Sequence, residues 1–116
     1  MRLSQELRQR TKRYASAIIR LYVSLPKRRR ELEVLGHQLL RSGTSVAAHA
    51  REASRARSSA EFCSKVDGLL QEADESHLWL ELLQDDCSIE CKELMKETSE
   101  LIVIFTTMVS RARRSL

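Results

Sequence analysis

The stretch "REASRARSSAEF", residues 51–62, sets three arginines, two glutamates and two adjacent serines into twelve residues and ends on an apolar Phe62. Its pattern is that of a corner between two helices. Ser58 and Glu61 stand at capping-box spacing, where a serine oxygen and a glutamate carboxylate satisfy backbone amides at a helix start. Phe62 then opens an apolar stripe of Phe62, Val66, Leu69, Ala73, Leu80 and Leu83 on one helix face. The spacing predicts a third helix over residues 59–84, after a second helix that ends near Arg55.

That second helix, expected over 27–55, carries the inward stripe Leu32, Leu35, Leu39, Gly43, Val46, Ala50 and Ala53, with Gly36 and Ala47 alongside. The stripe shrinks from leucine to glycine and alanine. Each interior glycine costs about 1 kcal/mol relative to alanine, so close approach by a neighbouring helix is the expected compensation. Before it, Leu3, Leu7, Tyr14, Ile18, Leu21 and Leu25 share one face of a first helix, 3–24. Pro26 stops that helix by driving Leu25 out of the helical region, and it suits the first turn of the helix that follows. Beyond the third helix, "DDCSIE" offers Asp85, Asp86 and Ser88 as caps. The fourth helix, 88–114, bears Ile89, Leu94, Met95, Leu101, Ile102, Phe105, Met108 and Ala112, and Arg111, Arg113 and Arg114 complement its C-terminal dipole. The expectation is an all-α, antiparallel up-down four-helix bundle in a single domain, 1–116.

Composition agrees: 116 residues hold three glycines and one proline, which favours long helices. The N-terminus is charged and has no apolar core of a secretory leader. The longest apolar run, "LIVIF" at 101–105, is far too short to span a membrane. Three cysteines, an odd number without a leader, suit reduced thiols and a cytoplasmic location.

The charge is split. Residues 1–57 carry fourteen Lys/Arg against four Asp/Glu, a local +10; residues 58–116 carry six against twelve, a local −6, which together give the net +4. Either the basic half binds a polyanion or the two halves pair with each other. Folding the second helix back on the third about residue 58 places Arg41 near Glu75, Arg55 near Glu61, His37 near Trp79, and Arg51 near Lys65 with Glu52 one step away. Arg41, Arg51, Glu52, Arg55, Glu61, Glu72 and Glu75 are therefore expected to form an ion-pair seam that fixes register. The remaining cations, Arg8, Arg10, Lys12, Arg13 and Arg20 with "KRRR" at Lys27, Arg28, Arg29 and Arg30, form the expected nucleic-acid-binding surface. Such a surface attracts phosphates without reading sequence. "LWLELL" (78–83) and "LIVIF" spread apolar residues over more than one face. Leu78, Trp79, Leu82, Val103 and Ile104 are the expected oligomer interface.

Four blocks, "LPK", "QLLRSGTSVAA", "REASRARSSAEFCSK" and "EADESHLWLELL", resemble in order and spacing the bacterial four-helix-bundle family first noticed as reading frames inside intervening sequences of 23S rRNA genes. The resemblance spans residues 14–110. It implies an up-down bundle and a homopentameric ring. It also implies kinship with the accessory proteins of diversity-generating retroelements, which contact a reverse transcriptase and nucleic acid. Arg41, Arg51, Glu52, Arg55, Arg57, Ser58, Glu61, Phe62 and Glu75 match family motif positions. His49 departs from the family pattern, which often has asparagine there.

No Gly-rich phosphate loop, His-Glu-x-x-His pair or nucleophile elbow is present. Cys87 and Cys91 are four apart, but no second Cys/His pair is spaced to complete a metal site. Neither enzyme activity nor a cofactor or metal is expected. The expected role is an oligomeric accessory or scaffold protein whose basic surface binds RNA, DNA or a nucleoprotein partner such as a reverse transcriptase. The alternative is a structural protein–protein interaction module that binds no nucleic acid.

Overall fold

Side-chain oxygens start two of the helices and a proline stops one. The computed structural model describes residues 3–116; residues 1 and 2 of the expected domain lie outside the described residues. The elements are α1 (Gln5–Ser24), α2 (Arg30–Ser54), α3 (Ser59–Cys87) and α4 (Lys92–Arg114). Ser4 Oγ accepts the Leu7 amide at 3.1 Å, which sets the start of α1 at Gln5. Leu25, extended ahead of Pro26, ends it. The helices run up and down in chain order, α1 on α2, α2 on α3 and α3 on α4, while α1 and α4 meet more sparingly. The result is the expected all-α four-helix bundle, 49 × 20 × 20 Å.

Helix α1 starts at Gln5 rather than 3, at its Ser4 cap, α2 ends at Ser54 rather than 55, and three further boundaries differ from the sequence reading by three or more residues. Helix α2 begins at Arg30, not 27, and Pro26–Arg29 form the turn. Consecutive cations are disfavoured at the positive end of a helix. Arg29 instead donates to the Cys87 carbonyl at 3.2 Å and pairs with Glu31, tying the turn to the end of α3. Helix α3 runs through Asp85 and Asp86 to Cys87 rather than stopping at Gln84. Ser88 does not cap the fourth helix; it closes the third in the left-handed region, φ 61°, with its amide and that of Ile89 donating to the Leu83 carbonyl. Helix α4 therefore starts at Lys92, not 88. Gln84 accepts the Cys91 amide at 3.1 Å, and Glu90 accepts the Lys92 amide at 2.8 Å, in the roles expected of Asp85, Asp86 and Ser88.

The shrinking stripe on α2 does let a neighbour in close, and that neighbour is α1. A Cβ added at Gly43 would sit 2.8 Å from Ile18 Cγ1 and 3.2 Å from its Cβ, and Ile18 is fully buried. Around this contact, Leu32, Leu39, Val46, Phe62, Val66, Leu69, Leu80, Leu83, Leu101 and Phe105 form the core.

Besides Thr11, whose hydroxyl donates to the Arg8 carbonyl of its own helix, four buried hydroxyls pair across the core, one from each helix. Tyr14, Ser42, Ser76 and Thr98 are each 2 % exposed or less. Thr98 donates to the Leu94 carbonyl at 2.6 Å, so the Tyr14 hydroxyl donates to Thr98 Oγ1, also at 2.6 Å. Ser76 donates to the Glu72 carbonyl, and Ser42 meets Ser76 at 2.7 Å. Burial holds the Tyr14 phenol above its ordinary pKa, while hydrogen bonds to Thr98 and Ser76 pull the other way. Buried hydroxyls are costly unless paired, so the pairs favour one alignment of the helices over its neighbours.

Two substitutions test this packing. Gly43→Ala improves helix propensity by about 1 kcal/mol, yet Ile18 has no room to give, so urea denaturation is expected to show a net loss of about 1–3 kcal/mol. Tyr14→Phe leaves Thr98 without its donor and is expected to cost about 1–2 kcal/mol in the same measurement, with helix content unchanged.

Candidate anion-binding cleft

The corner at 55–58 is built as its sequence indicates. Ser58 Oγ accepts the Glu61 amide at 3.0 Å, and the Ser58 carbonyl accepts the Phe62 amide at 2.9 Å. The Glu61 carboxylate reaches one residue further back than a capping box requires, to the Arg57 amide at 3.3 Å. Phe62, 1 % exposed, then anchors α3 in the core.

Beside this corner lies a cleft of about 890 Å³, walled by the N-terminal half of α1, the C-terminal half of α2 and the start of α3. Arg8 and Lys12 line the α1 wall; Arg51 and Arg55 line the α2 wall; Arg57 and Lys65 close the third side. The floor is small or polar, with Thr11, Ala47, Ala48 and Ser54, and Gln5 and Gln9 stand at the edge. Only two carboxylates enter, Glu52 and Glu61. Both are engaged: Glu52 meets Lys65 at 3.5 Å, with His49 Nδ1 3.2 Å away but without a hydrogen bond, and Glu61 meets Arg57 at 3.9 Å. Among the described residues, Arg8, Lys12, Arg51 and Arg55 lie in no ion pair.

Some cations outside the cleft are neutralised in place. Arg10 meets Glu97 at 2.7 Å and Glu100 at 2.9 Å, a bond between the first and last helices. Arg41 meets Glu75 at 2.8 Å and Glu72 at 3.3 Å. Arg113 pairs with Asp67. The expected seam thus divides. Arg41, Glu72, Glu75 and Glu52 join α2 to α3, with Lys65 and His49 added. Glu61 serves the corner, and Arg51 and Arg55 face the cleft. These pairs are half exposed, so they guide register more than they add stability.

The nine cations expected to bind nucleic acid are not one patch. Arg8 and Lys12 line the cleft, Arg10 is neutralised, and Arg13 and Arg20 stand exposed on α1 outside it. Lys27, Arg28 and Arg30 are exposed at the α1–α2 turn. That turn is more than about 20 Å from Arg8, at 1.5 Å of rise per residue along α1. The cavity at that end is smaller, about 380 Å³, mostly apolar, and lined among others by Tyr22, Val23 and Leu32. His37 is bonded there to the Tyr22 hydroxyl at 3.0 Å.

Of the residues expected at an oligomer interface, Leu78 is 46 % exposed and Val103 65 %. Trp79 and Ile104 lean on the core, Leu82 is half-buried, and the Trp79 indole N–H is buried without a hydrogen-bond partner. The three cysteines are free and buried. Burial, the Glu90 charge and Cys87 push the Cys91 thiol up to about 11, so it stays protonated and unreactive near neutral pH. Among the described residues, no group of three His, Cys, Asp or Glu converges as metal ligands, and no helix is long and apolar enough to cross a membrane.

Fold and cleft together define a small helical-bundle protein with a cluster of unpaired cations in a cleft at one end. The chain belongs to the 23S rRNA-intervening sequence protein family, whose profile matches residues 4–110, ten residues further toward the N-terminus than the 14–110 span of the resemblance. It is also similar to a Bacteroides thetaiotaomicron protein of unknown function from the S23 ribosomal protein family, whose crystal structure was determined at 1.70 Å. The two are 31% identical, with a TM-score of 0.81, over 89% of this chain and 94% of that one. No curated protein matches the chain.

Proposed function

We propose that the protein is a non-enzymatic, homo-oligomeric accessory protein that binds nucleic acid, alone or within a nucleoprotein, through the cationic cleft. The observation that carries this is the contrast among cations. Arg10, Arg41 and Arg113 have carboxylate partners, whereas Arg8, Lys12, Arg51 and Arg55 face one another across a cleft without any. Clustering like charges is unfavourable unless a polyanion offsets it. The cleft lacks aromatic side chains, so recognition rests on phosphates and is indifferent to sequence. Exposed Leu78 and Val103 support self-association, and the family likeness favours a pentameric ring, which would present several clefts to one polyanion. A reverse transcriptase is the protein partner in this reading where one is encoded alongside. The setting is the cytoplasm.

Binding through four phosphate contacts makes affinity fall roughly 50-fold between about 50 and 200 mM salt. Anisotropy titrations with a labelled RNA check this; affinity indifferent to salt would contradict it. Native mass spectrometry of the purified chain is expected to show five subunits, and a monomer would remove the oligomeric part of the proposal.

A further inference from the structure

We infer that the cleft takes an unpaired polynucleotide strand with its phosphates turned inward, and excludes the duplex. This rests on the nucleic-acid reading above and sharpens it.

The first argument is shape. The cations stand on opposing walls, Arg8 and Lys12 on α1 against Arg51 and Arg55 on α2. A chain lying between them is gripped from both sides. A double helix is about as wide as the whole bundle, 20 Å. It can rest on the rim of a cleft cut into one end of such a bundle, but its phosphates stay outside. A single phosphodiester chain is narrow enough to enter, and about 890 Å³ holds only a few nucleotides' worth of backbone.

The second argument is spacing. Arg8 and Lys12 are four residues apart on α1, and Arg51 and Arg55 four apart on α2, so each pair rises about 6 Å along its helix. That is comparable to the step between successive phosphates of an extended strand. Because α1 and α2 are antiparallel, Arg8 lies toward Arg55 and Lys12 toward Arg51. The two pairs form rungs that bracket neighbouring phosphates.

The third argument is the lining. Ala47 and Ala48 leave the α2 wall open between the arginines, and Thr11 and Ser54 turn their hydroxyls back onto the Arg8 and Ala50 carbonyls, so the cations alone contact phosphate. No aromatic or large apolar side chain waits for a base. The bases therefore point away from the protein, free to pair with another strand or meet a partner.

The test uses the full-length protein and a short labelled oligonucleotide of mixed sequence, alone or annealed to its complement, at one low salt concentration. The single strand is expected to bind at least about tenfold tighter than the duplex, with a log–log salt slope near −3 for four released counterions. R51E/R55E is expected to lose at least about tenfold in single-strand affinity, while R28E/R30E, at the far turn, stays within about twofold. All four residues are exposed or partly so at the surface, and circular dichroism checks that the variants fold. Should R51E/R55E fail to fold, the strand-against-duplex comparison on the native protein still decides. Duplex binding as tight as single-strand binding overturns the inference and leaves the nucleic-acid reading standing, whereas loss confined to R28E/R30E overturns the inference together with the cleft as the binding site. Binding of neither form overturns both.

Discussion

The corner at residues 55–58 is the constraint from which the functional end of the molecule follows. Helix α2 must stop and α3 must start within four residues. Ser58 and Glu61 do this by capping α3. Phe62 fixes the angle by entering the core at once. The same few residues deliver Arg51, Arg55 and Arg57 to one end of the bundle, and both carboxylates within reach are already engaged. The positive field at this end is thus a consequence of how the turn is made, not of net charge alone.

The opposite wall depends on how tightly α1 lies on α2. Gly43 admits Ile18, and the buried pairs Tyr14–Thr98 and Ser42–Ser76 hold the helices in alignment. Arg10 adds the bond to Glu97 and Glu100 that joins the first helix to the last. With α1 so placed, Arg8 and Lys12 face Arg51 and Arg55. Sliding α1 by one helical turn would move its cations about 5.4 Å and break the facing pairs. Core and cleft are therefore coupled: the contacts that resist slippage in the core are those that keep the cleft two-sided.

Sequence legibility follows the range of each interaction. The cap at Ser58 and Glu61 is three residues wide and readable from spacing. Arg41 with Glu75 is readable once the corner is placed, since antiparallel register carries from one end of a hairpin to the other, and the same register brings Lys65 to the level of Arg51, one step from the Glu52 it meets. Arg10 with Glu97 joins residues 87 apart, and nothing local announces it. Ser42, Ser76 and Thr98 interrupt the apolar stripes, and a hydroxyl recurring at core spacing on three helices is a signal that apolar periodicity alone passes over. The basic residues misled differently. Arg8 and "KRRR" belong to the same sequence segment, but a straight helix separates them in space, whereas Arg8 and Arg55, far apart in sequence, share a wall-to-wall cleft. Ser88 has the residue type of a helix start, since serine often caps, but its left-handed backbone makes it an end.

The most direct test of the account is amide NMR of the labelled protein with a short single-stranded oligonucleotide bound. The account predicts shifts concentrated at Arg8 and Lys12 on α1 and at Ala47, Ala48, Arg51 and Arg55 on α2, with residues 27–30 unmoved. Shifts confined to the 27–30 turn, or spread evenly over every exposed cation, would contradict it.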